Sequence, residues 1–198
     1  MTNPENLLQT IPNWSWLWRR PLRAIAFGFG SGLAPKAPGT FGTLWAWASG
    51  MLFYTLFPET PFFWVSLLLC LGFLLGIWVC GETGDDLGQP DHGGMVWDEI
   101  IAFWGILAFI LPASFVIQLL AFALFRFFDA VKPGPIRVID NFFKTWKPQT
   151  IWQKKSATYI LGFGVMVDDL LAAFFTLLVL ALLSFFGLQI NLSKFNFL

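Results

Sequence analysis

Residues 100–125 read IIAFWGILAFILPASFVIQLLAFALF, a run of 26 positions with no charge and a single proline, Pro112, near its middle. A continuous helix of that length would measure about 39 Å, more than the roughly 30 Å hydrocarbon core of a bilayer. Proline lacks the amide donor and pushes the residue before it out of the helical region, so the helix breaks at Leu111 and Pro112. Two shapes then remain: a tilted, kinked single span, or a helix-turn-helix that enters and leaves on one side.

Charges outside the run choose between these shapes. Residues 41–58, 61–80 and 170–193 also lack Asp, Glu, Lys and Arg, over lengths near the roughly 20 residues a span needs. Pro58, Glu59, Thr60 and Pro61 join the first two through a turn that fits only a tight antiparallel hairpin. If 100–125 re-enters, Arg19, Arg20, Arg23, Lys36, Arg126, Lys132, Arg137, Lys144, Lys147, Lys154 and Lys155 share one face, and Lys194 alone lies on the other. That is the positive-inside pattern, and it places the shared face in the cytoplasm. A single span divides the basic residues and favours no orientation. The expectation is therefore an all-α, polytopic membrane helical bundle of three full spans plus one Pro-split, re-entrant helical hairpin, with interfacial helices.

Composition agrees. The 198 residues are 57% apolar, 19% aromatic and only 12% charged, with a mean hydropathy of +0.67. Twelve Lys and Arg balance twelve Asp and Glu, so no net field draws the chain to nucleic acid, and nucleic-acid binding is excluded. Cys70 and Cys80 lie in one apolar run, roughly 15 Å apart on a helix, too far to bridge. The first 24 residues contain no uninterrupted apolar run of a signal peptide. Trp14, Trp16 and Trp18 beside Arg19, Arg20 and Arg23 suit the headgroup zone instead. Residues 1–24 are read as an N-terminal interfacial segment and 25–198 as the membrane-embedded domain.

Four segments carry chemistry. Residues 28–43, GFGSGLAPKAPGTFGT, hold five glycines and two prolines around Lys36. Such a run is either a plain turn into the membrane or an anion nest, with Lys36 and backbone amides facing a phosphate where a helix begins after Thr40. Residues 81–99, GETGDDLGQPDHGGMVWDE, read as a loop ending in Asp98 and Glu99 at the start of the 100–125 run. A pair of acids at a helix start is ordinarily a dipole-complementing cap. Asp86, Asp91, Asp98 and Glu99 together exceed what a cap requires, and an all-oxygen ligand set suits Mg²⁺ or Mn²⁺ rather than zinc. His92, the one histidine, is read as a solvated loop residue or a proton shuttle.

Residues 125–140, FRFFDAVKPGPIRVID, place Arg126, Asp129 and Lys132 at three-residue spacing on one helical face, which Pro133 ends. This is either a snorkelling rim or a site where Arg126 and Lys132 hold phosphate oxygens and Asp129 a metal. Asp168 and Asp169 open the last apolar stretch behind LGFGVMV, in which Gly162 and Gly164 permit close helix approach. Ten carboxylates, from Glu82 to Asp169, share the basic face, with Glu59 opposite them.

Taken in order, GFGSGLAPKAPGTFGT, DHGGMVWDE, FRFFDAVKPGPIR and VMVDD span most of residues 24–175 and resemble the phosphatidylglycerophosphatase A family. The resemblance implies a multi-pass, Mg²⁺-dependent lipid phosphatase of the bacterial inner membrane, its site on the cytoplasmic face. It would hydrolyse the terminal phosphomonoester of phosphatidylglycerophosphate in the bilayer, so that residues 25–198 form a phosphatase domain among membrane lipids. The implied metal-holding centre is Asp86, Asp91, Asp98, Glu99, Asp129, Asp168 and Asp169, with Asp98, Glu99, Asp129 and Asp169 as the catalytic acids. Lys36, Thr40, Arg126 and Lys132 would bind the substrate phosphate, and either water or an aspartate would attack it. The acyl tails would stay between the re-entrant arms and a neighbouring span.

The sequence departs from the family pattern at two places. Ala102 and Ala173 stand where glycine is expected, one turn inside each acidic pair. An insert over 141–159, with Trp146, Trp152 and four lysines, reads as an interfacial helix on anionic lipid and sets Asp140 apart from the centre.

Other phosphatase chemistries lack their residues. No two aspartates are two apart, no arginine stands six after Cys70 or Cys80, and there is one histidine. A cation transporter would place its ionisable groups near the bilayer midplane, whereas these acids stand at one rim. A non-catalytic scaffold would have no need of the acidic motifs.

Overall fold

The computed structural model describes residues 11–134, 136, 137, 142 and 151–187, and every regular element among them is helical. In chain order these are α1 (Trp14–Trp18), α2 (Pro21–Ala26), a 3-10 segment (Gly28–Leu33), α3 (Pro38–Leu56), α4 (Phe62–Leu87), α5 (Trp97–Ile110), α6 (Phe115–Val131) and α7 (Ile151–Phe185). The central element is α5. Eleven of its 14 residues are buried, and α3, α4, α6 and α7 all pack on it.

The outer faces are as apolar as the interior. Phe63, Trp64, Leu67, Leu71, Leu74 and Trp78 of α4 are exposed, as are Leu170, Phe174, Leu178, Leu182 and Phe185 of α7. Only 11% of the most apolar stretch of α4 is buried. A water-facing surface of that kind would associate, so these faces belong against lipid. Among the described residues, α4 and the Ser156–Phe185 part of α7 are long and apolar enough to cross a membrane.

The proline-split run is two helices. α5 ends at Ile110 and α6 begins at Phe115, with a cis Leu111–Pro112 bond between them. The far ends of the two arms come back together: the Arg126 guanidinium lies 3.6 Å from the Glu99 carboxylate. A straight helix would hold those residues about 40 Å apart. Gln118 pins the bend, donating to the Ala113 carbonyl at 2.9 Å while accepting from the Trp47 indole of α3 at 2.7 Å. Two more indoles tie the bundle across helices: Trp97 donates to the Gly72 carbonyl of α4 and Trp104 to the Ala46 carbonyl of α3, each at 3.0 Å.

α4 and α7 cross with their backbones nearly touching. A Cβ on Gly162 would stand 2.2 Å from the Ile77 carbonyl oxygen, and one on Gly81 would stand 2.5 Å from that of Thr158. Small residues at such a crossing let van der Waals contact replace the hydrophobic drive that lipid removes.

Several sequence expectations change. The first long helix starts at Pro38 rather than after Thr40, because proline's fixed φ suits the first helical position and its missing donor is not needed there. Residues 81–87 are helix rather than loop. α4 runs on through GETGDDL until Gly88, at φ +65°, takes the left-handed cap and its amide reaches the Asp85 and Gly84 carbonyls.

The last helix also begins earlier. It starts at Ile151 and ends at Phe185, so Asp168 and Asp169 lie at its middle instead of opening it. Two acids do not break a helix whose backbone bonds are complete and whose polar side chains face inward. α3 and α4, expected as a tight pair, scarcely touch and each packs on α5 instead.

Of the insert, residues 151–159 form the first turns of α7. Asp140, Lys144, Trp146 and Lys147 lie outside the described residues, as do residues 1–10 and Lys194. In the N-terminal segment Trp16 is buried against Phe27 and under the Arg23 guanidinium, 4.3 Å from its ring centre, while Trp14 and Trp18 are exposed.

Candidate active site

Asp98 and Glu99 form the first turn of α5, where the amide end of the helix favours negative charge. The Glu99 amide donates to the Asp98 carboxylate at 3.0 Å. Asp169 reaches the same point from the middle of α7. Among the described residues these three offer carboxylate oxygens all within 4.8 Å of one another. All three residues are buried, and one oxygen each of Glu99 and Asp169 has no hydrogen-bond partner.

Three buried carboxylates with two orphaned oxygens could hold a cation, which would offset the cost of burying their charge. Hard oxygen donors at this spacing fit a divalent metal ion.

A second layer comes from α6. Arg126 pairs with Asp129 at 2.5 Å, three residues along the same face, and turns its guanidinium to Glu99. Lys132 caps α6 at φ +47°, a left-handed conformation that a lysine rarely adopts, and its ammonium forms a close ion pair with Asp168. The strained cap turns the chain where Pro133 would otherwise only end it. Asp129 and Asp168 thus hold the two cations beside the carboxylate cluster.

The start of α3 forms the remaining wall. A Cβ on Gly39 would stand 2.1 Å from the Glu99 Oε1 and 3.0 Å from both terminal nitrogens of Arg126. The Thr43 hydroxyl donates to the Gly39 carbonyl at 2.8 Å and accepts from Arg126 at 3.5 Å. Sequence reasoning placed Thr40 here and missed Gly39 and Thr43. The available signal was the PGT start of a helix, which fixes the face presented one turn later, but only a tertiary neighbour reveals what that face meets.

Other sequence candidates are not among the three clustered carboxylates. Asp86, at the end of α4, is gripped by Arg23 at 2.9 Å and Arg20 at 3.0 Å, so it ties the N-terminal segment to the bundle. Asp91 is exposed on the 88–96 loop, Lys36 is exposed in the approach to α3, and Thr40 is half-buried in the first turn of α3. His92 accepts the Gly94 amide on Nδ1 at 3.0 Å. Burial lowers the imidazole from its ordinary pKa while Asp91 pulls the other way, so His92 is neutral near pH 7. The loop itself is docked on the glycine-rich segment's approach, the Val96 amide donating to the Ala26 carbonyl at 2.8 Å.

All four chemistry-bearing segments of the sequence therefore meet at one point, two cations and the α3 start facing a carboxylate cluster. Residues 24–184 match the family described as Phosphatidylglycerophosphatase A. The chain is 40% identical over 159 residues to the Phosphatidylglycerophosphatase A of Haemophilus influenzae, covering 80% of this chain and 86% of that protein. It is 34% identical over 152 residues to the protein of the same name in Escherichia coli, covering 77% of each. A Bacteroides thetaiotaomicron protein provisionally named a phosphatidylinositol-3-phosphatase is 35% identical over 161 residues, covering 79% of this chain and 89% of its own. No solved structure matches the chain.

Proposed function

Because the chain belongs to the phosphatidylglycerophosphatase A family, we propose that it hydrolyses the terminal phosphomonoester of phosphatidylglycerophosphate at the Asp98, Glu99 and Asp169 cluster. The products are phosphatidylglycerol and inorganic phosphate. The observation that carries the reading is the convergence of four separate segments on buried carboxylates with orphaned oxygens.

Asp98, Glu99 and Asp169 hold Mg²⁺, the hard cation that an all-oxygen set prefers. When bound, the metal supplies polarisation of the phosphoryl group and a coordinated water of lowered pKa. The remaining work falls to the protein. Arg126 presents a planar fork to two phosphoryl oxygens and Lys132 a point charge to a third, stabilising the charge that spreads as the ester bond breaks. Asp129 and Asp168 keep those two side chains aimed at the cluster. Gly39 leaves room for the phosphate's approach to Glu99, and the amides at the α3 start face the same anion.

In the bilayer, α3, α4 and α7 are the three full spans and α5 with α6 the re-entrant hairpin. From Asp169 to Phe185 the helix rises about 24 Å, close to the hydrocarbon thickness, which sets the cluster at one rim. The excess of Lys and Arg makes that rim cytoplasmic, and a bundle of apolar helices suits the bacterial inner membrane. In a chain freed of Cys70 and Cys80, a Ser114→Cys thiol is expected to resist an impermeant maleimide from both sides. A Lys147→Cys thiol should react from the cytoplasm only, and its labelling from outside would replace the hairpin with a single span.

Phosphate release from phosphatidylglycerophosphate in detergent micelles tests the activity. EDTA is expected to lower it at least a hundredfold and Mg²⁺ to restore it. Release unaffected by EDTA removes the metal, and no release with any divalent ion removes the reaction. Asp86→Asn separates the two acidic groups. Its loss takes the carboxylate charge from Arg23 and Arg20 and is expected to cost about 1 kcal/mol of stability, with activity kept within about threefold. A drop as deep as that of the cluster variants would make Asp86 a ligand.

A further inference from the structure

The diverging α3 and α4 leave a wedge between them whose floor is α5. It encloses about 450 Å³, in the size range of ligand cavities. Its floor is buried Trp97, Ile101 and Leu107, and its rim is exposed Phe53, Leu68 and Leu71. The wedge therefore opens sideways, to where lipid lies. Two of its three hydroxyls are already committed, Ser49 donating to the Trp45 carbonyl at 2.8 Å and Thr60 to that of Phe57 at 2.9 Å, and the third belongs to Tyr54.

One end of the wedge lies next to the active site in the chain, although none of the three clustered carboxylates lines it. Trp97 lines it and directly precedes Asp98 in the chain. The other end is Leu111, at the hairpin tip, about 21 Å away along the helix, against a half-bilayer of about 15 Å. Glycine keeps the two walls apart from the floor by no more than a side chain. A Cβ on Gly50 would stand 2.7 Å from Leu107, and one on Gly72 would stand 2.5 Å from Ile101.

We propose that this wedge is the binding site for one acyl chain of the phospholipid substrate, laid along α5 with its head end at Trp97. The inference rests on the phosphatase reading above. Moving a chain from bilayer to wedge gains little hydrophobic free energy, because lipid is already apolar. What the wedge provides is orientation: a chain held along α5 fixes the depth and direction of the headgroup relative to Asp98 and Asp169. The effect therefore falls on catalytic efficiency with long-chain substrate.

The test compares dipalmitoyl with dihexanoyl phosphatidylglycerophosphate in detergent micelles with Mg²⁺. Leu71→Trp and Leu68→Trp narrow the rim, whereas Leu74→Trp lies on the exposed face outside it. Narrowing is expected to lower kcat/KM on the dipalmitoyl substrate about tenfold through misplacement of the reacting group, with under a twofold change on the dihexanoyl one. Leu74→Trp should leave both unchanged. Equal effects on the two substrates, or none, overturn the wedge assignment and leave the phosphatase intact, whereas a wild-type protein inactive on both overturns the phosphatase reading itself.

A second measurement needs no variant. Phosphatidylglycerophosphate with a diazirine on its acyl chain should crosslink to α5 and α4 and be displaced by dipalmitoyl but not dihexanoyl lipid. Equal crosslinking by a diazirine phosphatidylethanolamine would make the wedge a general lipid cleft and overturn the assignment.

Discussion

Asp98→Asn and Asp169→Asn are each expected to lower Mg²⁺-dependent phosphate release about a thousandfold or more, while the metal-free protein becomes more stable rather than less. The two signs have one cause. Carboxylate oxygens within 4.8 Å of one another in a buried cluster repel, by about 3 kcal/mol per pair at an effective dielectric constant of 20. An amide of the same shape removes one of the charges, and with it both the repulsion and a metal ligand. Thermal unfolding in detergent with EDTA should therefore show a higher midpoint for each variant than for the wild type. Added Mg²⁺ should raise the wild-type midpoint strongly and those of the variants little, since only a ligand that binds the folded state stabilises it. Variants that lose activity and stability together would instead mark these acids as structural.

Gly39→Ala is the second large effect, and it acts on the site without touching a charge. The new methyl group would overlap the Glu99 Oε1 at 2.1 Å and crowd both Arg126 nitrogens at 3.0 Å. Those atoms are the ends of flexible side chains, so they shift and the fold survives. Alanine in place of glycine even favours the first turn of α3, by up to about 1 kcal/mol. The expected result is an unchanged or raised midpoint with about a hundredfold loss in kcat, the cost of a reacting group displaced by roughly an ångström. Gly105→Ala, which has open space around its added methyl group, is the control and should behave as wild type. A midpoint collapse in Gly39→Ala, or full activity, would sink the view that Gly39 shapes the space beside Glu99.

What could be read in the sequence was whatever depends on local rules. Pro112 in the middle of an uncharged run announces a break, and Asp98 with Glu99 before an apolar helix announces a charged start, because both follow from the backbone alone. The Arg126, Asp129 and Lys132 spacing likewise appears in the structure as one inward face. Asp168 and Asp169 were misplaced for the opposite reason. Hydropathy begins a span at its first uncharged residue, whereas the helix continues wherever backbone bonds are satisfied, and here neighbours shelter the acids. Asp86 looked equivalent to Asp98 by composition, and only the fold shows that Arg20 and Arg23 occupy it. Gly39 is invisible until Glu99 is placed against it.

The short central hairpin has a consequence for how the protein is made. At 14 and 17 residues, its arms fall short of the roughly 20 apolar residues at which a segment inserts as an independent span. α5 is also the helix that every long neighbour packs on, and Asp169 arrives only with the last of those neighbours. Membrane integration of the middle third of the chain must therefore wait for helices made before and after it. A nascent protein stalled short of α7 would hold Asp98 and Glu99 at an unfinished lateral gap, exposed to membrane quality control and without phosphatase activity.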